Sequence, residues 1–178
     1  QGTSSSAKKS APTYQKGTYA DHLKPMVLVA LNTGLRLGEL TGIHWTHISH
    51  ADPPQITVKA AYVKMSKTRH IYLNKTLRAT LQAWEAQQTD TNGYVFATES
   101  GERIISVRDE WLATIEAARV KDFKWHDLRH DFASKLVMAG ADLNTVRELM
   151  GHSSLDMTLR YAHLAPEHKA AAVTLLDK

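Results

Sequence analysis

Residues 124–132 read Lys-Trp-His-Asp-Leu-Arg-His-Asp-Phe and combine two imidazoles and a guanidinium with the start of an apolar helix. The apolar side chains that recur at helical spacing are Leu128, Phe132, Leu136 and Val137. This pattern predicts a buried helix over 127–139 that ends at Gly140. His126 and Arg129 are three positions apart and therefore lie at the same edge of that helix. Two cationic donors side by side suit an anionic oxygen.

His126 and His130 have the i, i+4 spacing of the zinc-binding H-E-x-x-H pattern. Arg129 lies between them, and its positive charge would repel a metal ion. We therefore expect no zinc site here. We expect His130 to lie in the core, hydrogen-bonded to the backbone.

The bulk composition limits the class of protein. The 178 residues suit one domain with a hydrophobic core, and 43 % of them are apolar. The net charge of +4 favours a polyanionic partner. The absence of cysteine excludes disulfides, thiolate nucleophiles and cysteine-type zinc sites. No apolar run reaches membrane-spanning length and there is no signal peptide, so we expect a cytoplasmic protein. Residues 1–16 read as a flexible linker or an edge left by cloning, which leaves 17–178 as the domain.

The rest of the chain is mainly helical, with a small antiparallel sheet. Ile56–Val58 and His70–Leu73 are strand-prone, 64–68 reads as a turn between them, and Gly93–Phe96 is a short strand or an extended link. We expect three strands in all, which makes the fold α+β. The first predicted helix covers about 21–33 and ends before Gly34, and a short second helix runs through Leu40. Asn74 caps a third helix, and Ser106 caps a fourth in which Leu112 faces inward. Beyond 127–139, one helix ends at Met150, another covers 155–163, and the last is Pro166–Leu176.

Four further residues, in three stretches of the chain, carry polar side chains whose default interpretation is structural. Arg36 follows Gly34, and Glu39 lies three positions on, where the two can form a local ion pair. His152 follows the helix stop Gly151, and Tyr161 reads as a core tyrosine with its hydroxyl paired. Taken alone, each piece is more often structural than functional.

Taken together, the pieces resemble the tyrosine recombinases, also called the phage integrase family. The matching motifs, in chain order, are T-G-L-R-L-G-E-L, K-x-x-K-x-R-H-I-Y-L, H-D-L-R-H, G-H-S-S and T-L-R-Y-A-H-L. Their order and spacing match from about Lys24 to Val173. One departure is Tyr72, where relatives usually have proline. The resemblance implies the catalytic domain of that family for 17–178.

The resemblance also assigns the site. It implies that the catalytic residues are Arg36, Lys64, His126, Arg129, His152 and the nucleophile Tyr161, with Glu39 in support. Lys67 is the alternative to Lys64 as the lysine of the turn. The expected reaction is cleavage and rejoining of DNA through a 3′-phosphotyrosyl link and a free 5′-hydroxyl, with no metal, ATP or other cofactor.

Physical chemistry agrees with these roles. Guanidiniums can grip phosphate oxygens in pairs, which suits Arg36 and Arg129. A tyrosine, with an ordinary pKa of about 10, needs a proton acceptor, and His126 is the candidate. Lys64 would protonate the leaving oxygen.

Alternatives remain open at this point. A type IB topoisomerase shares the chemistry, and a DNA-binding module without catalysis shares the basic charge. A metal hydrolase using His126, His130, His152 and His163 is a third possibility. The expected partners are double-stranded DNA, an N-terminal domain that clamps the opposite side of the DNA, and further copies of the protein in a tetramer on DNA. The apolar face of Pro166–Leu176 docks either on its own core or on a neighbouring protomer.

Overall fold

The computed structural model describes residues 19–59, 68–165, 174 and 177. The helices are α1 (Leu23–Thr33), α2 (Leu37–Thr41), α3 (Lys75–Glu85), α4 (Arg108–Ala117), α5 (Asp127–Met138), α6 (Leu143–Met150) and α7 (Asp156–Leu159). The strands are β1 (Ile48–Ser49), β2 (Gln55–Val58) and β3 (Arg69–Tyr72). Short 3-10 turns cover Trp45–His47 and Ala162–Leu164. Within these ranges the fold is mainly helical with one small sheet, so the predicted α+β class is confirmed.

The sheet is antiparallel in the order β1-β2-β3. Ile56 of β2 pairs with Ile48 on one side and Ile71 on the other. Ile56 and Ile71 are buried, and the alternation of side chains along a strand carries Arg69 to the same face as Ile71. Tyr72 pairs regularly with Gln55 at the end of the ladder. The register therefore aims one arginine of β3 at the protein interior.

Helix α5 packs along α1 and joins two clusters of buried side chains. Leu128, near its start, belongs to the larger cluster with α1, α3 and the sheet. Phe132 and Val137 belong to a smaller cluster with Met150 of α6 and with Tyr161. Arg129 and His130 lie between Leu128 and Phe132 along α5. The helix therefore places them where the two clusters meet. The N-terminal half of α5 is thereby held from both sides.

Several local predictions are confirmed and others are wrong. The Asn74 side chain caps α3 by accepting the backbone N–H of Leu77 at 2.8 Å. Leu112 was expected to be buried but is 54 % exposed, because α4 presents only Trp111 fully to the core. Ser106 accepts the N–H of Arg108, whereas the cap position itself belongs to Val107.

The predicted helix over 155–163 is interrupted. It is divided into α7 and a 3-10 turn at Ala162–Leu164. Gly93–Phe96, predicted as a short strand or an extended link, makes a single bridge between Tyr94 and His44, which fits the extended link. The third strand of the sheet is β1. The linker at 1–16, the turn with Lys64 and Lys67, and nearly all of Pro166–Leu176 lie outside the described residues. No helix in the described ranges is long and apolar enough to cross a membrane.

Candidate active site

Arg36 lies at the junction of α1 and α2. Gly34 ends α1 in the left-handed conformation, with φ of 62°. The chain then turns, and Arg36 is the N-cap residue of α2. The backbone N–H of Arg36 donates to Oε2 of Glu39 at 2.9 Å. The Arg36 side chain is 30 % exposed. Its backbone is thus fixed while its guanidinium can be reached from solvent.

Glu39 is buried, and its main partner differs from the predicted one. Arg69 grips the carboxylate with two bonds, Nη1 to Oε1 at 2.8 Å and Nη2 to Oε2 at 3.0 Å. Nη1 of Arg36 is 3.6 Å from Oε1. Burial favours a neutral carboxyl, but hydrogen bonds and charge from Arg69 outweigh it and hold the pKa of Glu39 below its ordinary 4.5. The expected Arg36–Glu39 pair is therefore secondary to a buried bidentate pair.

Arg69 connects the sheet to the end of α6. Its Nε donates to the carbonyl of Leu149 at 3.3 Å. Its guanidinium lies against Gly151, where an added Cβ would come within 2.8 Å of Nη1. Gly151 is also left-handed, with φ of 61°. A side chain on residue 151 would push the arginine away, so Gly151 and Arg69 depend on each other.

Arg129 is 3 % exposed and binds the carboxyl ends of two helices. Nη1 donates to the carbonyl of Gly34 after α1, and Nη2 donates to the carbonyl of Met150 at 2.5 Å at the end of α6. Burial and the nearby charge of Arg36 lower the pKa of Arg129 to about 10. The group is still a cation at neutral pH. A guanidinium has five N–H groups, so these two carbonyls do not exhaust its donors.

His152 follows the left-handed Gly151 and is buried. Its Nδ1 is 2.8 Å from the hydroxyl of Thr158 in α7. Burial and the charges of Arg129 and Arg36 lower the pKa of His152 to about 4. A neutral ring at pH 7 carries one N–H, which is one hydrogen-bond donor.

Tyr161 is 5 % exposed, and its hydroxyl is paired as the sequence predicted for a core tyrosine. The partner is Nδ1 of His130, at 2.5 Å from the phenol oxygen. His130 was expected to hydrogen-bond to the backbone, and that expectation is wrong. That His126 accepts the proton of Tyr161 during the reaction stays a prediction. One helical turn separates the two histidines, and only His130 faces the turn that carries the tyrosine. Burial raises the pKa of Tyr161, although Arg160 and Arg129 oppose that rise.

His126 is exposed at the cap position before α5. Its ring lies 5.0 Å from the ring of His130, and burial together with His130 and Arg129 lowers the pKa of His126.

Within the described residues there is no group of three or more metal-ligating side chains. Lys64 and Lys67 lie outside those residues.

The sequence as a whole matches the profile described as "Phage integrase family" over residues 9–168. The chain belongs to the phage integrase family. It is 32 % identical over 168 residues to the integrase of Salmonella phage P22, covering 87 % of this chain and 42 % of that protein. It is 35 % identical over 147 residues to tyrosine recombinase XerC of Pseudomonas fluorescens strain Pf0-1, covering 79 % of this chain and 47 % of the relative. The chain thus spans less than half the length of these curated relatives.

Solved structures of phage integrase family members share the fold. The catalytic domain of bacteriophage HP1 integrase superposes with a TM-score of 0.63 at 25 % identity, over 84 % of this chain and 79 % of that domain. The Tn1549 transposon integrase in complex with a circular intermediate DNA gives a TM-score of 0.69 at 20 % identity, over 86 % and 58 % of the two chains. The XerH recombinase bound to its difH substrate gives a TM-score of 0.66 at 21 % identity, over 87 % of this chain and 46 % of that chain.

In this phage integrase family chain, sequence reasoning missed two residues. Arg69 could have been found from the alternation of Arg69, Ile71 and Leu73, which puts all three on one face of a strand. The predicted strand began one residue too late, at His70, and so left Arg69 between the predicted turn and the strand. The contact of His130 with Tyr161 had no such signal, because the approach of α7 to α5 depends on tertiary packing.

Proposed function

We propose that this domain cuts and rejoins DNA strands through a covalent phosphotyrosine, as the catalytic part of a site-specific recombinase. The observation that carries the proposal is the grouping of Arg36, Arg69 and Arg129 around the single carboxylate of Glu39, with positive charge in excess. The catalytic unit comprises residues 17–178. A site with surplus guanidiniums beside a hydrogen-bonded tyrosine suits a phosphodiester and a phenol nucleophile.

Arg36 and Arg129 bind the non-bridging oxygens of the scissile phosphate. Their charges stabilise the negative charge that builds up there during attack. His152, neutral at pH 7, adds one hydrogen bond, and the exposed His126 adds another from the start of α5. Glu39 and Arg69 do not touch the phosphate in this proposal, and they hold the segments that carry Arg36 and His152.

The oxygen of Tyr161 attacks phosphorus, and the bond from phosphorus to the 5′ oxygen breaks. Lys64, with Lys67 as the alternative, gives a proton to the leaving oxygen. The products are a 3′-phosphotyrosyl link and a free 5′-hydroxyl. Because the phosphoester bond energy is kept in the covalent link, the 5′-hydroxyl of a strand can reverse the step without ATP or a metal ion.

Double-stranded DNA is the proposed partner. Among the related structures, the Tn1549 integrase is in complex with a circular intermediate DNA and XerH is bound to its difH substrate. The net charge of +4 supports the same partner. We expect salt-sensitive and weakly specific binding by this domain alone, and a tetramer on DNA when the remaining parts of the recombinase are present.

A nicked suicide substrate tests the proposal, because loss of a short fragment after cleavage traps the covalent complex. We expect the wild-type domain to form a complex that survives denaturation, and Tyr161→Phe to form none while it retains non-covalent DNA binding. Trapping should persist in EDTA. Equal trapping by the two proteins would refute Tyr161 as nucleophile, and loss of trapping in EDTA would favour a metal hydrolase. Relaxation of supercoiled DNA lacking partner sites would point to topoisomerase activity.

A further inference from the structure

The hydroxyl of Tyr161 has a defined proton acceptor in this structure. Its oxygen lies 2.5 Å from Nδ1 of His130, and the two ring centroids are 6.0 Å apart with a tilt of 47°. A general base must lie within hydrogen-bond reach of the proton that it removes. His130 meets this requirement without any change in the position of either side chain.

His126 is placed differently. It is exposed at the cap of α5, and its ring stands edge-on to that of His130 at 5.0 Å. Side chains four apart on a helix are neighbours, so the two imidazoles form a row that begins in solvent at His126 and reaches Tyr161 at His130. His130 is itself half-buried, so both imidazoles are within reach of solvent.

The surroundings of His130 define the charges that act on it. On α5 it neighbours His126 and Arg129, and from α7 and its following turn it meets Tyr161. His152, beyond the end of α6, is close enough for the charge of His130 to influence it. Asp127, at the start of α5, lies three positions before His130 and acts on the neighbouring His126. Nδ1 can accept the phenol proton only when the ring is neutral with its proton on Nε2.

We propose that His130, one turn beyond His126, is the general base that takes the proton of Tyr161. This rests on the proposed function. As the oxygen of Tyr161 forms its bond to phosphorus, its O–H bond breaks and the proton moves to Nδ1 of His130. The bond between phosphorus and the 5′ oxygen breaks, and that oxygen takes a proton from the lysine. On rejoining, the 5′-hydroxyl gives its proton back to the lysine as it attacks, the tyrosyl–phosphorus bond breaks, and His130 returns its proton to the phenolate.

His130→Asn is the decisive variant, because the amide oxygen of asparagine can stand near the position of Nδ1 and accept a hydrogen bond but cannot take a proton. We expect it to fold and bind DNA like the wild type and to cleave the suicide substrate about 10²–10⁴-fold more slowly in single turnover. Its rate should keep rising with pH up to the ionisation of the phenol, whereas the wild-type rate should level off. His126→Asn is the comparison for the shape of the pH profile alone: its rate can fall through the lost contact to the phosphate, but the levelling with pH should remain.

A substrate with sulfur in place of the 5′ bridging oxygen separates base from acid. A thiolate leaves without a proton, so the modified substrate should restore cleavage to Lys64→Ala and leave His130→Asn slow. Free imidazoles added to His130→Ala should speed cleavage in the order of their basicity, which a purely structural role would not produce.

Several results would overturn the proposal. One is a His130→Asn rate equal to that of the wild type, or higher, since a higher rate would mean that His130 only restrains the tyrosine. Another is rescue of His130→Asn by the sulfur substrate. A third is loss of the pH plateau in His126→Asn alone, which would move the base to His126. Absence of trapping by the wild type would instead refute the proposed function, and the inference with it.

Discussion

Replacing Arg69 by methionine leaves the carboxylate of Glu39 buried without its main partner. The Glu39 side chain is 0 % exposed, and its two hydrogen bonds to another side chain both come from the guanidinium of Arg69. What remains is the backbone N–H of Arg36 at 2.9 Å and the Arg36 guanidinium at 3.6 Å. Removing one partner of a buried ion pair typically costs about 3–5 kcal/mol. For a domain of this size, that corresponds to a fall in melting temperature of roughly 6–20 °C.

The pH dependence gives the prediction a sign. In the wild type the pKa of Glu39 is below its ordinary 4.5, so its stabilisation is present above that value and is lost as pH falls through the lowered pKa. Without Arg69, burial acts largely unopposed and raises the pKa of Glu39. The variant then gains stability relative to the wild type on acidification, because protonation removes the unpaired charge. We expect the difference in unfolding free energy to shrink as pH falls through 4.5, from the raised pKa of the variant to the lowered pKa of the wild type.

Urea denaturation of four proteins tests this: wild type, Arg69→Met, Glu39→Leu and the double variant. Because apolar replacement of a buried pair is often close to neutral, the double variant should recover much of the stability lost by Arg69→Met. It should not recover cleavage of the suicide substrate, since Arg69 also binds the carbonyl of Leu149 beside His152. A loss below about 1 kcal/mol for Arg69→Met, or a loss independent of pH, would refute the reasoning.

Three further predictions concern the same site. Gly34→Ala should cost about 2–5 kcal/mol in urea denaturation, since φ is +62° and an added Cβ would overlap the ring of Phe132; Gly93→Ala, with open space around it, is the control. Stability should fall as pH drops from about 6.5 to about 4, by on the order of 3 kcal/mol, because unfolded His152 binds a proton at its ordinary 6.5 and the folded ring does so at about 4. His152→Gln should lack this step. Arg36→Gln should reduce the slope of log affinity for DNA against log salt by about one, and an unchanged slope would remove Arg36 from the phosphate.

The elements that the sequence predicted well are those in which local pattern and burial agree. The apolar spacing in 127–139 predicted α5, and Asn74 predicted the start of α3, because capping and amphipathic packing both depend on neighbouring residues. The helix at 155–163 was predicted as continuous and is not. Leu155, Met157 and Leu159 are exposed there, so no buried face holds the segment as one helix.

Partnerships across the fold were harder to predict than the residues themselves. Glu39 was recognised as a supporting carboxylate, yet its nearest sequence neighbour Arg36 was chosen as partner over Arg69, which is 30 positions away. The same bias towards local contacts placed His130 on the backbone, whereas its partner Tyr161 is 31 positions away. Spacing along a helix identifies which side chains share a face, but the side chain that meets that face comes from the packing of another element.

A buried guanidinium needs hydrogen-bond acceptors, and this need explains the glycines beside the cationic residues. The last carbonyls of a helix have no partner within it. Arg129 binds two such groups, at Gly34 after α1 and at Met150 at the end of α6, and Arg69 binds the carbonyl of Leu149. Both helices end on a left-handed glycine, which turns the chain away and leaves room for Phe132 at Gly34 and for Arg69 at Gly151. For Arg129 the helix ends thus neutralise part of the positive charge with dipoles rather than with a carboxylate, and Glu39 is left to pair with Arg69. The site therefore retains the net positive charge that an anion requires.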